Sequence, residues 1–148
     1  MISDTHGLLR PEAVAALKGS ELIIHAGDVG RPEILSGLRA LARVVAVRGN
    51  IDTEAWTAGL PTTAIVEAGS ARIYVLHNLH ELDCDPAARG FDIVISGHSH
   101  KPGKSERGGV LYLNPGSAGP RRFRLPVTLA RLDVSRAPWR VEFVALAQ

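Results

Sequence analysis

Short apolar runs rich in β-branched residues recur along this chain, and each ends in a cluster of glycine, histidine, aspartate or asparagine. The runs are Leu22-Ile23-Ile24, Val44-Val45-Ala46-Val47, Ile73-Tyr74-Val75-Leu76, Ile93-Val94-Ile95 and Leu111-Tyr112-Leu113. Their length and composition predict buried strands. Helical patterns lie between the first of them. Residues 10–18 carry Pro11 near the first turn and stop at Gly19, which are helix start and stop signals. Residues 31–41 have Pro32 early and apolar side chains at Ile34, Leu35, Leu38 and Leu41, a helical spacing. Strand, helix, strand predicts parallel βαβ units in the first half of the chain.

The second half reads as antiparallel. Residues 62–66 and 72–76 flank Gly69-Ser70, and residues 127–134 and 139–145 flank 135–138, so two hairpins are expected. Many strands and about three helices suggest two sheets packed face to face with helices outside. A chain of 148 residues is a normal size for one domain, so 1–148 is read as a single unit. With 45% hydrophobic residues it can build a core.

Several classes are excluded or disfavoured. No apolar run approaches the roughly 20 residues that span a membrane. The start lacks the basic and apolar segments of a signal peptide. Cys84 is the single cysteine and cannot form an internal disulfide, and its neighbours Asp83 and Asp85 oppose a thiolate. These features point to a cytoplasmic protein. A net charge of +2 is too weak to argue for nucleic acid, despite a pI of about 9.0. Arg121, Arg122 and Arg124 form the one tight cationic group, either a solvated loop or a contact for an anion.

The polar clusters carry the chemistry. In chain order they are Asp4-Thr5-His6, His25-Ala26-Gly27-Asp28, Gly49-Asn50-Ile51-Asp52, His77-Asn78, Gly97-His98-Ser99-His100 and Asn114-Pro115-Gly116-Ser117. Parallel strands bring their C-terminal ends to one sheet edge, where ligand sites collect. Each cluster alone has an ordinary reading as a turn, a surface polar group or a packed histidine. Together they would set carboxylates, histidines and asparagines along one edge, and a multivalent cation would remove the carboxylate repulsion. Such an oxygen and nitrogen donor set suits Mn²⁺, Fe²⁺ or Zn²⁺ rather than a thiolate zinc site. An aspartate can bridge two metals, one through each oxygen, and metals roughly 3.5–4 Å apart can clamp both oxygens of a phosphoryl transfer.

In this order the clusters resemble the calcineurin-like metallophosphoesterase superfamily. Size and the Asn114-Pro115-Gly116-Ser117 segment are similar to its small bacterial and archaeal phosphodiesterase branch. The resemblance runs from Ser3 to about Arg122. It implies an α/β fold, a four-layer αββα sandwich of two mixed β-sheets. It also implies hydrolysis of a small phosphodiester or phosphomonoester by a hydroxide bridging two divalent metal ions, Mn²⁺ foremost, with Fe²⁺, Zn²⁺ or Ni²⁺ as alternatives. Carried over, it puts Asp4, His6 and His100 on one metal, Asn50, His77 and His98 on the other, and Asp28 between them. Asn50 would also orient the phosphate, and a homodimer is a family expectation. A scaffold that has lost catalysis and a nuclease are the competing readings.

Departures and weaker candidates also follow from the sequence. Ile51 stands where many relatives have a histidine that protonates the leaving group, which leaves Asp52 as a substitute acid. Asn78 replaces a common glycine, and a positive φ there would be tolerated. His80 competes with His77 as a ligand. His25 is a candidate to orient Asp28, Arg121 and Arg122 to bind substrate phosphate, and Trp56 to cover the site. Loops 51–61 and 101–109 would set specificity. Only Met1-Ile2 precede Asp4 as a first strand, so either that strand is a stub or the true start lies upstream. On that reading Asp4 and His6 are weakly anchored, and an upstream extension would tighten metal binding.

Overall fold

Proline opens both α-helices. In this computed structural model, which describes residues 1–146, α1 is Pro11–Leu17 and α2 is Pro32–Arg39, each with proline in its first turn and no side-chain N-cap. Proline lacks an N–H, and the first turn needs none. Glu12 and Glu33 sit where the positive helix end favours them, and Arg39 complements the last turn of α2. Strand β1 (Leu22–His25) enters α2, which returns to β2 (Arg43–Ala46); β1 and β2 pair in parallel from Leu22↔Arg43 to His25↔Ala46. This is the expected βαβ unit.

The remaining strands are β3 (Thr63–Ala68), β4 (Ala71–Leu76), β5 (Ile93–Ile95), β6 (Gly103–Arg107), β7 (Val110–Asn114), β8 (Thr128–Asp133) and β9 (Arg140–Ala145). They form a five-stranded mixed sheet in the order β3-β4-β5-β7-β6 and the β8-β9 hairpin. The centre of the larger sheet is parallel (β4-β5-β7) and both edges are antiparallel. Strand β6 was expected as loop; its five residues are all exposed, so no alternation marks it.

Asp4 and His6 were expected on a weakly anchored segment, but the residues before them are well tied. They are held on both sides. Ile2 donates to Ile24 O at 2.9 Å and accepts from Ala26 at 3.0 Å, while Met1 exchanges backbone bonds with Ala130 and Ser3 O accepts from Ala118. The stub thus joins β1 to β8 in one layer.

Packing follows the period-two alternation of strands. Ile23 and Leu129 face Leu17, Leu35 and Leu38 of the helices. Ile24 and Val47 face Ile73, Val75, Ile93, Ile95 and Leu113 of the large sheet. On the outer face of that sheet Tyr74, Val94 and Val110 pack with Phe91, Leu79, Leu82 and the free Cys84. That outermost layer contains a 3₁₀ turn, Leu79–Glu81, and among the described residues no α-helix. The α/β class with mixed sheets is as expected; two α-helices stand where about three were counted. No helix among the described residues is long and apolar enough to cross a membrane.

Candidate metal centre

Every residue that the sequence singled out as a metal ligand follows a strand or the N-terminal stub. Asp4 and His6 follow Ile2, Asp28 follows β1, Asn50 follows β2, His77 follows β4, and His98 and His100 follow β5. The βαβ and parallel connections bring these ends to one edge. There His100 Nε2 lies 3.3 Å from Asp4 Oδ1, His77 Nε2 3.3 Å from Asp28 Oδ2, and His6 Nε2 3.6 Å from Asp28 Oδ2. Asn50 Oδ1 is 2.9 Å from His77 Nε2 and 3.1 Å from His98 Nδ1. Two groups are close enough to hold a cation: Asp4, His6 and His100, and Asp4, Asp28 and His77.

Each carboxylate is pinned by one oxygen and open at the other. Asp4 Oδ2 accepts from the Ser3 hydroxyl at 2.7 Å and the His98 amide at 3.1 Å, whereas its buried Oδ1 has no hydrogen-bond partner. Asp28 Oδ1 accepts from Ile51 N–H at 3.1 Å, which turns Oδ2 toward His6 and His77. His6 Nε2 is also buried without a partner. Buried polar atoms are normally satisfied, so such orphans ask for a missing partner. His77 Nδ1–H donates to Ala26 O at 2.7 Å, which leaves Nε2 as the atom facing the cluster. Lone pairs converge here with few protons to separate them, and the donor chemistry fits divalent cations.

Burial and charge shift the protonation of the metal-free cluster. Burial raises the Asp4 carboxyl to about 6. It also lowers His6, and it takes His100 to about 4, with the Arg122 charge adding to both. Burial is the largest influence on Asp28 and His77 and opposes their charged forms, but their mutual hydrogen bond, the Ile51 N–H on Asp28, the Ala26 carbonyl on His77 and the opposite charges nearby together outweigh it, so Asp28 falls below and His77 rises above its ordinary value.

The backbone is shaped for this cluster. Among the described residues the non-glycine positions with positive φ are Asp4 (54°), His6 (46°), Asp28 (56°), His98 (68°), His100 (62°) and Phe123 (54°). Five of these six are candidate ligands. Residues in that region carry strain of about 1–3 kcal/mol each and persist where the surroundings fix them. Two glycines permit the close approach: a Cβ on Gly49 would overlap the amide and carboxylate of Asp28, and one on Gly97 would overlap Ser3 Oγ.

Several candidates take roles other than those expected. Asp52 is 3% exposed, and its carboxylate accepts from Val29, Gly30 and Gly49 N–H at 3.1, 3.1 and 2.9 Å. It ties the Asp28 loop to the Asn50 loop, which removes it as an acid for the leaving group. His25 does not hold the Asp28 carboxylate. Its Nδ1 accepts from Gly27 N–H at 3.1 Å, so Nε2 carries the proton and donates to Thr5 Oγ1 at 3.0 Å, and Thr5 donates to Val29 O at 2.8 Å. This buried chain locks the Asp28 loop to the Asp4 loop, and burial keeps His25 neutral, with a pKa of about 3. Asn78 is extended, at φ −111°, and needs no tolerance of positive φ; His80 is exposed in the 3₁₀ turn that follows. Trp56 packs against the helix-side core and does not cover the cluster. Arg121 and Arg122 are exposed, and Arg122 is near enough to act on His6 and His100. Ser117, which the sequence singled out without a role, donates to Asp4 O at 3.0 Å.

Fold and cluster together define a metal-dependent phosphoesterase. Residues 1–137 match the calcineurin-like phosphoesterase superfamily domain. The chain is 37% identical over 146 residues to a probable metallophosphoesterase of Methanothermobacter thermautotrophicus, covering 90% of this chain and 84% of that protein. It is 30% identical over 155 residues to phosphodiesterase YfcE of Escherichia coli, covering 88% of this chain and 84% of that protein. Among solved structures, Vps29 of Entamoeba histolytica complexed with Zn²⁺ superposes with a TM-score of 0.71 at 25% identity, covering 97% of this chain and 96% of that one. The chain belongs to the calcineurin-like phosphoesterase superfamily.

Proposed function

We propose that the chain is a two-metal phosphodiesterase. Asp4, His6 and His100 would hold one divalent cation and Asn50, His77 and His98 the other, with Asp28 shared between them. The observation that carries this reading is the convergence of Asp4 Oδ1, Asp28 Oδ2, Asn50 Oδ1 and the histidine nitrogens on one small space, with buried members unpartnered. Oxygen and imidazole donors suit Mn²⁺, with Fe²⁺, Zn²⁺ or Ni²⁺ as alternatives. When bound, such ions supply Lewis-acid stabilisation of phosphoryl charge and an activated water at neutral pH.

The chain's own residues do the rest. Asn50 and His98 are exposed, whereas Asp4 and His100 are buried, so substrate reaches the centre from the Asn50 side. Asn50 NH₂ would orient the phosphate, and Arg122 would neutralise part of its charge. With Ile51 and the locked Asp52 beside Asn50, no side chain there supplies a proton to the leaving group. Small phosphodiesters with good leaving groups are therefore the best substrates, with phosphomonoesters secondary. A net charge of +2 speaks against a nuclease. The single cysteine fits a cytoplasmic setting.

The Vps29 likeness raises a second reading, a metal-binding scaffold. One experiment separates the two: hydrolysis of bis(p-nitrophenyl) phosphate by metal-stripped protein recharged with Mn²⁺, with Asp28→Asn as control. Mn²⁺-dependent turnover that falls at least about 100-fold in the variant is expected. Protein that binds Mn²⁺, Ni²⁺ or Zn²⁺ yet turns over nothing would be a scaffold.

A further inference from the structure

Among the described residues, five of the six non-glycine positions with positive φ are candidate ligands of the metal centre, and Phe123 is the sixth. It occupies the second position of the turn 122–125, closed by Leu125 N–H donating to Arg122 O at 3.1 Å. Positive φ at that turn position is the habit of Gly, Asn and Asp, and a bulky side chain there is strained. The ring is also 93% exposed, against 38–49% for the other exposed large hydrophobic residues. Neither packing nor backbone preference accounts for a phenylalanine at this place, and strained residues cluster at ligand sites.

The turn lies next to the metal centre through Lys101, which lines both its own cleft and the cleft of Gly97, His98 and Asn114. Arg122 acts electrostatically on His6 and His100. Phe123, Arg124 and Leu125 line an open cleft with Lys101, the residue after His100. One aromatic face and two cations therefore line a cleft that meets the His98 side of the centre at Lys101, and no carboxylate lines it. We propose that Phe123 is a stacking platform for a planar aromatic ring carried on the phosphoester, a nucleobase or an aryl group. Lys101 and Arg124 favour the anion that carries the ring. Stacking of this kind tolerates any ring with a π-face. The proposal rests on the phosphoesterase reading of the adjacent centre for its ligand, and its test does not depend on turnover.

Non-hydrolysable phosphonates measure it directly. Calorimetric affinities of Mn²⁺-supplemented protein are compared for methylphosphonate, phenylphosphonate and the phosphonate analogue of AMP. The wild type is expected to bind at least one ring-bearing ligand about tenfold tighter than methylphosphonate, about 1.4 kcal/mol. Phe123→Gly removes this advantage while folding at least as stably, because glycine accepts the positive φ. Phe123→Trp keeps the advantage. A preference for the AMP analogue alone identifies a nucleobase, and a preference for both rings identifies an aryl site. Equal affinity for all three ligands, or a ring preference that survives in Phe123→Gly, overturns the proposal. Ring preference without any diester turnover would count against the phosphodiesterase reading alone, and turnover without ring preference against this one alone.

Discussion

Replacing Asp52 by asparagine tests whether the metal centre is held together from behind. The carboxylate accepts three backbone N–H groups: Oδ2 takes Val29 at 3.1 Å and Gly49 at 2.9 Å, and Oδ1 takes Gly30 at 3.1 Å. An asparagine keeps one oxygen. Placed at Oδ2, that oxygen retains two bonds in weaker, uncharged form and turns its NH₂ group against Gly30 N–H. A buried donor left unmatched costs about 1–3 kcal/mol, and bonds to a charged acceptor exceed neutral ones by about 1 kcal/mol. The expected loss is about 3–5 kcal/mol in Asp52→Asn and more in Asp52→Ala, where all three donors lose their acceptor. At about 2–4 °C per kcal/mol for a domain of this size, Asp52→Asn lowers Tm by roughly 6–20 °C. Urea unfolding of metal-free protein at pH 7 measures the stability. A Mn²⁺ titration of the folded variant measures the second consequence, because the tie joins the loop of Asp28 to the loop of Asn50. Weaker metal binding is expected even where the variant is fully folded. A Tm within about 2 °C of wild type together with unchanged Mn²⁺ affinity would refute the argument, and Asp52 would then be free for a role in proton transfer.

The remaining predictions concern the same edge of the sheets. His25 is a base whose folded pKa, about 3, lies below its unfolded value near 6.5, so its contribution to stability is present above about pH 6.5 and lost as pH falls toward 3. Between pH 7 and 5 this costs metal-free wild type up to about 2 kcal/mol, a slope that His25→Asn should remove in urea unfolding at the two pH values. Gly49→Ala should cut turnover by about 100-fold or more, since its Cβ displaces the Asp28 carboxylate, and far-UV dichroism should show the fold retained. With no side chain placed to protonate the leaving group, log kcat for aryl methyl phosphates should fall steeply with leaving-group pKa; a flat dependence would reveal an acid elsewhere. Arg122→Ala should raise KM about tenfold with kcat less affected, as expected for loss of a charge that binds phosphate.

Much of this was legible before the structure, for physical reasons that differ by element. The βαβ unit and the two hairpins are marked by period and turn residues, so β1, β2, β4, β5, β8 and β9 lie within a residue or two of the expected runs. The candidate ligands were legible as one group because parallel strands put their C-terminal ends at one edge, whatever the details of packing. Strand β6, Gly103–Arg107, escaped because it is held by backbone pairing to β7 alone and buries no side chain. Asp52 was read as an acid because sequence shows a carboxylate and not its partners. Its three N–H donors come from residues 3, 22 and 23 positions away, a convergence that only tertiary structure makes.

The positive φ angles were the least legible feature, and they explain how the centre is built. A glycine at Asp4, His6, Asp28, His98 or His100 would relieve the backbone but would give up a ligand. The strained conformation must therefore be held from outside each residue. The fold does this with backbone ties: Asp4 N–H to Gly27 O at 3.0 Å, His6 N–H to Asp28 O at 3.0 Å, Ala118 N–H to Ser3 O at 3.0 Å, and the chain of His25 and Thr5 between them. The strain and the burial of Asp4 are both costs of the metal-free state. A divalent cation held by Asp4 and His6 would offset the burial cost, so the arrangement that is costly without metal would favour a doubly charged ion over water. The strain remains after binding, which is why the ties, and not the ligands, set how rigidly the centre is presented to a phosphoester.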